Sequence, residues 1–582
     1  MVTIRPAERR YRRAVAHPEF LFFGLLVAVA GLVVLAGLLR VPYPVMLVVG
    51  GLGLGFVPGV PTFELDPDLV LLLFLPPLLY SAAFFSSLRD LRGNLRPISF
   101  LSIGLVLATT FGVATVAHFV LHGVSWPVAL VLGAIVSPTD PVTATAIARR
   151  LGIPRRIVAI VEGESLVNDG TALIAYRFAA AGVVTGTFSA WQAGLQFVLG
   201  GIGGIAVGLL VGSVVAGLRR RLDDSPVEIT ISLFTAFAAY LPAEELGFSG
   251  VLAAVTVGIY LGWRAPELTT ATTRMQSNAV WEILIFLLNS TLFVLIGLQL
   301  PPILDRLSGQ GALELVGGGL VVAAAVMGIR LVWVFGFSSL ARWGVRRGRD
   351  RDPLPPWQWT LLVGWTGMRG AVSLAAALSI PLTVAGGGPF PQRDLVIFLV
   401  FAVILCTLLL QGLTLPVLVR ALGVEGDQAE EAEEVTARLR TAEAAIARMN
   451  ELQGEDWVRE DTAERMHGLY DYRRRRFAAQ TGVGDGDGVG EGEDFESRTA
   501  AYQRLRIELL ASERRELVSL RGQGHISDEV MRRVERDLDL EESRLGPPAD
   551  GQGVSSAAPP STHANLMEDA RAMLQRGSSR SA

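Results

Sequence analysis

Residues 157–183 read IVAIVEGESLVNDGTALIAYRFAAAGV, an apolar stretch that nonetheless carries Glu162, Glu164 and Asp169. A helix needs about 20 predominantly apolar residues to cross about 30 Å of hydrocarbon, so this stretch is long enough to span. Ionisable groups at that depth are costly and mark function by default. Residues four apart share a helix face, which puts Ser165 and Asp169 together. Glu164 and Asn168 form a neighbouring row about 100° away.

The preceding apolar run, 127–148, is interrupted at its centre by Ser137-Pro138-Thr139-Asp140-Pro141. Proline removes an N–H and clashes with the turn before it, so the helix breaks there. Unwound backbone is tolerated in a membrane only where it lines a cavity or is covered by protein. The expected cluster therefore combines Asp140, Thr139 with its freed carbonyl, Ser165, Asn168 and Asp169, all oxygen donors suited to a hard cation. His and Cys are absent from this set, which disfavours zinc.

Further out, the whole of 20–420 reads as spans, at roughly 20–39, 43–59, 67–86, 97–122, 127–148, 157–183, 190–218, 227–243, 248–263, 278–300, 312–340, 357–381 and 394–420. The expected fold is thus an all-α polytopic membrane protein of about thirteen helices, embedded in a lipid bilayer. The twelfth span is marked by Gly364, Gly367, Met368, Arg369 and Gly370. Interrupted spans five and twelve are seven apart, so spans 1–6 and 8–13 can be inverted repeats joined by span 7. Paired broken helices in corresponding halves point to a transporter site. A buried Glu164 needs a cation, and Arg330 in the eleventh span is the expected partner. Arg369 is placed to offset negative half-helix ends, and Asp140 positive ones.

Alternating loops carry eighteen arginines on one side and only Arg306 and Arg393 on the other, which places the C-terminal tail in the cytoplasm and the N-terminus outside. The Arg-rich segment 1–19 disagrees with that assignment. The chain has no lysine, and its single cysteine, Cys406, lies in an apolar run. The membrane domain is expected over 20–422, a helical cytoplasmic tail over 423–545 and a disordered end over 546–582. In the tail, helical stretches at 427–478 and 496–543 flank an acidic linker at 481–494, and the tail's helices are expected to dock on the membrane domain, on another copy or on an unknown regulator. Glycine ladders at Gly200, Gly204, Gly208, Gly212 and at Gly51, Gly55, Gly59 permit close helix approach, more readily within the chain than between copies. Glu228 and Glu282 read as interfacial, and Glu162 as either a funnel carboxylate or a loop-end one.

Five motifs, SPTDPV (137–142), EGESLVNDG (162–170), NSTLFVLIGLQL (289–300), GMRGAVSLA (367–375) and QGLTLP (411–416), resemble those of the monovalent cation:proton antiporter family, which holds the bacterial NhaP-type antiporters and the animal sodium/proton exchangers. The resemblance spans about 20–422. It implies crossed broken helices, a homodimer in the bacterial inner membrane, and exchange of Na⁺ or Li⁺ for H⁺ with no cofactor. It implies that Asp169 carries cation or proton in turn, that Asn168 marks an electroneutral member, that Glu164 pairs with Arg330, and that Thr139 and Ser165 help hold the ion. Some members have an acid after the Pro-Pro-Leu-Leu-aromatic run of span three. Here Ser81 stands there, which leaves selectivity between Na⁺ and K⁺ open. A channel fits a carboxylate between broken helices less well. An intramembrane aspartyl protease would need Tyr-Asp and Gly-x-Gly-Asp, whereas Asp140 follows Ser-Pro-Thr and Asp169 follows Leu-Val-Asn. Nothing points to nucleic acid.

Overall fold

The computed structural model describes residues 18–543 apart from 40, 58–66, 142–143, 146–147, 149–150, 187–189, 223, 308–310, 347–355, 425–427, 454, 456, 481–488, 524 and 526–527. The Arg-rich N-terminus, Arg40, Arg149, Arg150, Arg347, Arg349, Arg351 and the end from 546 lie outside the described residues. Helices follow in order: α1 (Pro18–Leu39), α2 (Tyr43–Gly55), α3 (Pro67–Phe85), α4 (Leu88–Gly93), α5 (Leu95–Val120), α6 (Trp126–Ile135), α7 (Arg155–Thr185), α8 (Ala190–Arg219), α9 (Ser225–Glu245) and α10 (Gly250–Leu268). They continue as α11 (Ala271–Leu298), α12 (Leu300–Arg306), α13 (Ala312–Arg346), α14 (Trp357–Trp365), α15 (Ala371–Leu378) and α16 (Arg393–Ala421). A second compact unit begins at Gln428 and holds α17 (Gln428–Leu452), α18 (Glu460–Gln480), α19 (Val489–Gly522) and α20 (Asp528–Ser543).

Among the described residues six helices are long and apolar enough to cross a membrane, and four shorter apolar helices accompany them. Helix α7 has 31 residues but is not one of the six, because its acids lower its hydropathy. Large apolar side chains such as Phe23, Ile202, Leu210, Phe234, Ile283 and Val332 face outward, as a lipid environment requires. Helices α9, α10 and α11 each start at a side-chain cap, supplied by Asp224, Ser249 and Thr270. Helix α6 stops at Ile135, just before Pro138 and Pro141. The linker expected over 481–494 is shorter than its composition implied, since α19 begins at Val489.

The described members of both glycine ladders pack inside the chain, and Gly59 lies outside the described residues. A methyl group on Gly204 would strike the Ser249 carbonyl, and one on Gly208 would lie 2.6 Å from the Ala253 carbonyl oxygen of α10. Gly51 faces the Val294 backbone of α11 in the same way. Such contacts let backbones approach closely and rely on missing side chains. Gly208→Leu is therefore expected to cost about 1–3 kcal/mol and lower the unfolding midpoint in detergent. Gly217→Leu, on the same helix with nothing within 4 Å, is the control expected to leave it unmoved.

Candidate functional site

The two interruptions meet. Between α14 and α15 the chain leaves the helix at Thr366 and re-enters at Ala371, and the Asp140 N–H donates to the Met368 carbonyl at 2.8 Å. Arg369, fully buried, donates from Nε to the Val136 carbonyl at 3.0 Å, at the C-terminal end of α6, and also to the Gly367 carbonyl. A cation there meets the partial negative charge of a helix end. A side chain on Gly370 would collide with the Asp140 carboxylate, and one on Gly367 with Arg330. Those glycines are thus the space that Asp140 and Arg330 occupy, with Asp140 lying against the start of α15.

Glu164 and Arg330 form a bidentate pair with N–O distances of 2.5 and 2.8 Å, and their side chains are 1% and 0% exposed. Arg330 also donates to the Val363 carbonyl in the last turn of α14, at 3.0 Å. Thr139 Oγ1 donates to Glu164 at 3.2 Å and accepts from Asn168 Nδ2 at 2.7 Å. Ser165 Oγ donates to the Thr139 carbonyl at 2.8 Å. The break is therefore pinned to α7 by three side chains of α7 itself.

A cavity of about 710 Å³ opens beside this junction, and Asp169, Asp140, Thr139, Ser165, Glu162 and Ser81 all line it. Asn168, Glu164, Arg330 and Arg369 are not among the lining residues; Asn168 and Glu164 hold the lining Thr139, and Arg330 in turn holds Glu164. Asp169 is 5% exposed, and its Oδ1 has no hydrogen-bond partner. A buried carboxylate oxygen without a donor, facing a cavity, is placed to take an ion or a proton.

Several residues lay outside the sequence reading of the site. Glu282, which reads as interfacial in the sequence, lines the cavity together with Asn278 and Asn289, all from α11. Their spacing of four and seven residues puts them on one helix face, a signal visible in sequence but masked by the apolar residues between them. Ser373 lines it from α15. Glu228, which also reads as interfacial, is buried 3.6 Å from Arg219, with both side chains 1% exposed. Arg177 reaches Glu244 of α9 at 2.6 Å. Arg393 donates to the Leu378 and Ile380 carbonyls at 2.9 and 3.0 Å, closing the C-terminal end of α15.

Residues 24–421 match the profile of the family described as sodium/hydrogen exchanger, transmembrane. An uncharacterized Na⁺/H⁺ exchanger of Mycobacterium tuberculosis (strain H37Rv) is 38% identical over 93% of this chain and 99% of its own length. The Na⁺/H⁺ antiporter ApNhaP of Aphanothece halophytica is 37% identical over 71% of this chain and 76% of its own. A sodium, potassium, lithium and rubidium/H⁺ antiporter of Bacillus pumilus is 36% identical over 65% of this chain and 58% of its own. The solved sodium proton antiporter MjNhaP1 from Methanocaldococcus jannaschii shares the fold with a TM-score of 0.55 at 20% identity, covering 72% of this chain and 100% of that one. Fold and matches together define a multi-pass membrane antiporter that exchanges cations for protons. The chain belongs to the sodium/hydrogen exchanger family, among the monovalent cation:proton antiporters.

Proposed function

We propose that this antiporter exchanges Na⁺ or Li⁺ for H⁺, one for one and without net charge movement, with Asp169 as the shared carrier. The observation that carries the reading is the buried, unpartnered Asp169 oxygen on the cavity wall, where the two helix breaks meet. A single carboxylate holds one cation or one proton at a time. Either load neutralises it, so either loaded form moves between inward- and outward-open states. The bare anion would have to cross uncompensated, at a cost that couples the two fluxes. In this reading Asp140, Ser165 and Thr139 supply further oxygens, Asn168 fixes Thr139, and Glu164–Arg330 is structural. Arg369 and Asp140 balance the half-helix ends. Glu162 and Ser81 are accessory groups along the approach.

The same proposal gives thirteen spans in inverted repeats, with the broken fifth and twelfth crossing at the site. It places a homodimer in the bacterial inner membrane, with the N-terminus outside and the tail from 423 in the cytoplasm. The membrane domain of 20–422 carries the ions, and the tail is regulatory. Exchange of K⁺ for H⁺ is the second reading: the oxygens accept either ion, and the Bacillus pumilus relative is named for both.

The test is proton flux in sealed proteoliposomes with an internal pH dye, on external addition of Na⁺, Li⁺ or K⁺. Alkalinisation driven by Na⁺ or Li⁺, unchanged by a valinomycin voltage clamp, is the expected result. A response to K⁺ alone, tested without valinomycin, transfers the assignment to K⁺/H⁺ exchange. Voltage-dependent flux rejects the one-for-one stoichiometry.

A further inference from the structure

We infer that the Asn289 amide and the Ser373 hydroxyl supply two neutral oxygens to the transported cation and set which alkali ion the site prefers. This rests on Asp169 being the ion-binding carboxylate and extends that reading to two further residues lining the same cavity.

Asn289 lines the cavity from α11 and is only 4% exposed, yet among the described residues its side chain has no hydrogen-bond partner. Buried polar groups are almost always paired with protein, water or a ligand. Its position is fixed from both ends. Eight residues before it, Trp281 Nε1 donates to Ser232 at 3.0 Å, and eight residues after it, Gly297 packs directly on the α2 backbone.

Ser373 is 1% exposed, lines the same cavity, and its Oγ also has no partner. Helical Ser and Thr hydroxyls ordinarily bond the carbonyl four residues back. Thr110, Thr171 and Thr235 do so here, bonding Val106, Val167 and Ile231. For Ser373 that carbonyl belongs to Arg369, ahead of the start of α15 at Ala371, so no turn lies behind the hydroxyl to accept its proton. The hydroxyls of Ser102, Thr109 and Ser290 are unpartnered as well, but those residues do not line the cavity.

One carboxylate balances one monovalent cation. The rest of a hard cation's shell is best filled by neutral oxygens, which add ligands without adding charge. Choice between ions then follows from the number, field strength and rigidity of those oxygens. Asn289 on a clamped helix and Ser373 on the first turn of a half-helix are such ligands.

The experiment measures half-saturating Li⁺, Na⁺ and K⁺ for proton exchange by the full-length chain in proteoliposomes. Cation-induced thermal stabilisation of the purified protein in detergent gives a second readout that needs no transport. Asn289→Ala and Ser373→Ala are each expected to weaken the preferred cation about ten-fold relative to the least preferred. The stabilisation by the preferred cation should shrink in parallel. Ser373→Thr and Asn289→Ser, which keep an oxygen, should recover most of the preference, and their unfolding transitions report that the proteins are folded. Cation ratios within two-fold of native in both alanine variants, with unchanged stabilisation, overturn the inference. If Asp169→Asn is silent while those two variants behave as native, this inference alone fails. If Asp169→Asn still exchanges ions, the underlying reading fails and takes this one with it.

Discussion

Asp169→Asn is expected to reduce cation-driven proton flux at least about 100-fold, to the level of empty vesicles, while leaving the protein folded. The substitution keeps shape and volume and removes the one group that can hold either a proton or a cation. Its Oδ1 has no hydrogen-bond partner, so replacing the carboxylate costs the fold little. Asn168, Ser165 and Thr139 keep their mutual hydrogen bonds, since those bonds run among these residues and Glu164 and not to Asp169. An amide cannot release a proton in this range and gives a cation no counter-charge, so both half-reactions stop together. The measurement is dye-reported flux beside an unfolding curve of the same preparation. Persisting proton-coupled flux in a folded variant would remove Asp169 from the mechanism.

Breaking the Glu164–Arg330 pair from either side is expected to destabilise the membrane domain by about 3–5 kcal/mol, because each single change leaves an uncompensated charge in a dry interior. Both side chains are essentially inaccessible, and the pair ties α7 to α13. Arg330→Met also removes two donors to the Val363 carbonyl at the end of α14, leaving it the Thr366 hydroxyl, so it should be the worse of the two. Glu164→Met with Arg330→Met should be less damaging than the sum of the singles, since an apolar pair avoids the stranded charge. The check is a double-mutant cycle of thermal unfolding in detergent. Additive losses would show that the two groups do not act as a pair.

Much of this was legible because the relevant signals are local. Prolines at 138 and 141, and glycines at 364, 367 and 370, mark the two breaks in any reading of the chain. Period and charge separate α7 from its neighbours. Other features depend on which residues face one another across space, and a linear pattern does not carry that. Arg219 heads an Arg-Arg-Arg run that reads as a solvated loop, yet it turns inward to Glu228. Glu282 stands among exposed apolar residues, and only the packing of α11 against α2 shows that its face borders the cavity. Asn168 reads as a ligand beside Asp169; a helix turns about 100° per residue, and its Nδ2 donates to Thr139 while its Oδ1 has no partner.

The seam between the two breaks is main chain to main chain, from the Asp140 N–H to the Met368 carbonyl. Residues 138 and 141 are both proline and have no N–H to offer, whereas residue 140 keeps the donor the seam uses. Because peptide groups make this joint, it is indifferent to which side chains stand at its two ends. Neither the Met368 nor the Asp140 side chain makes the seam itself. The joint between the two breaks thus depends on where proline is missing.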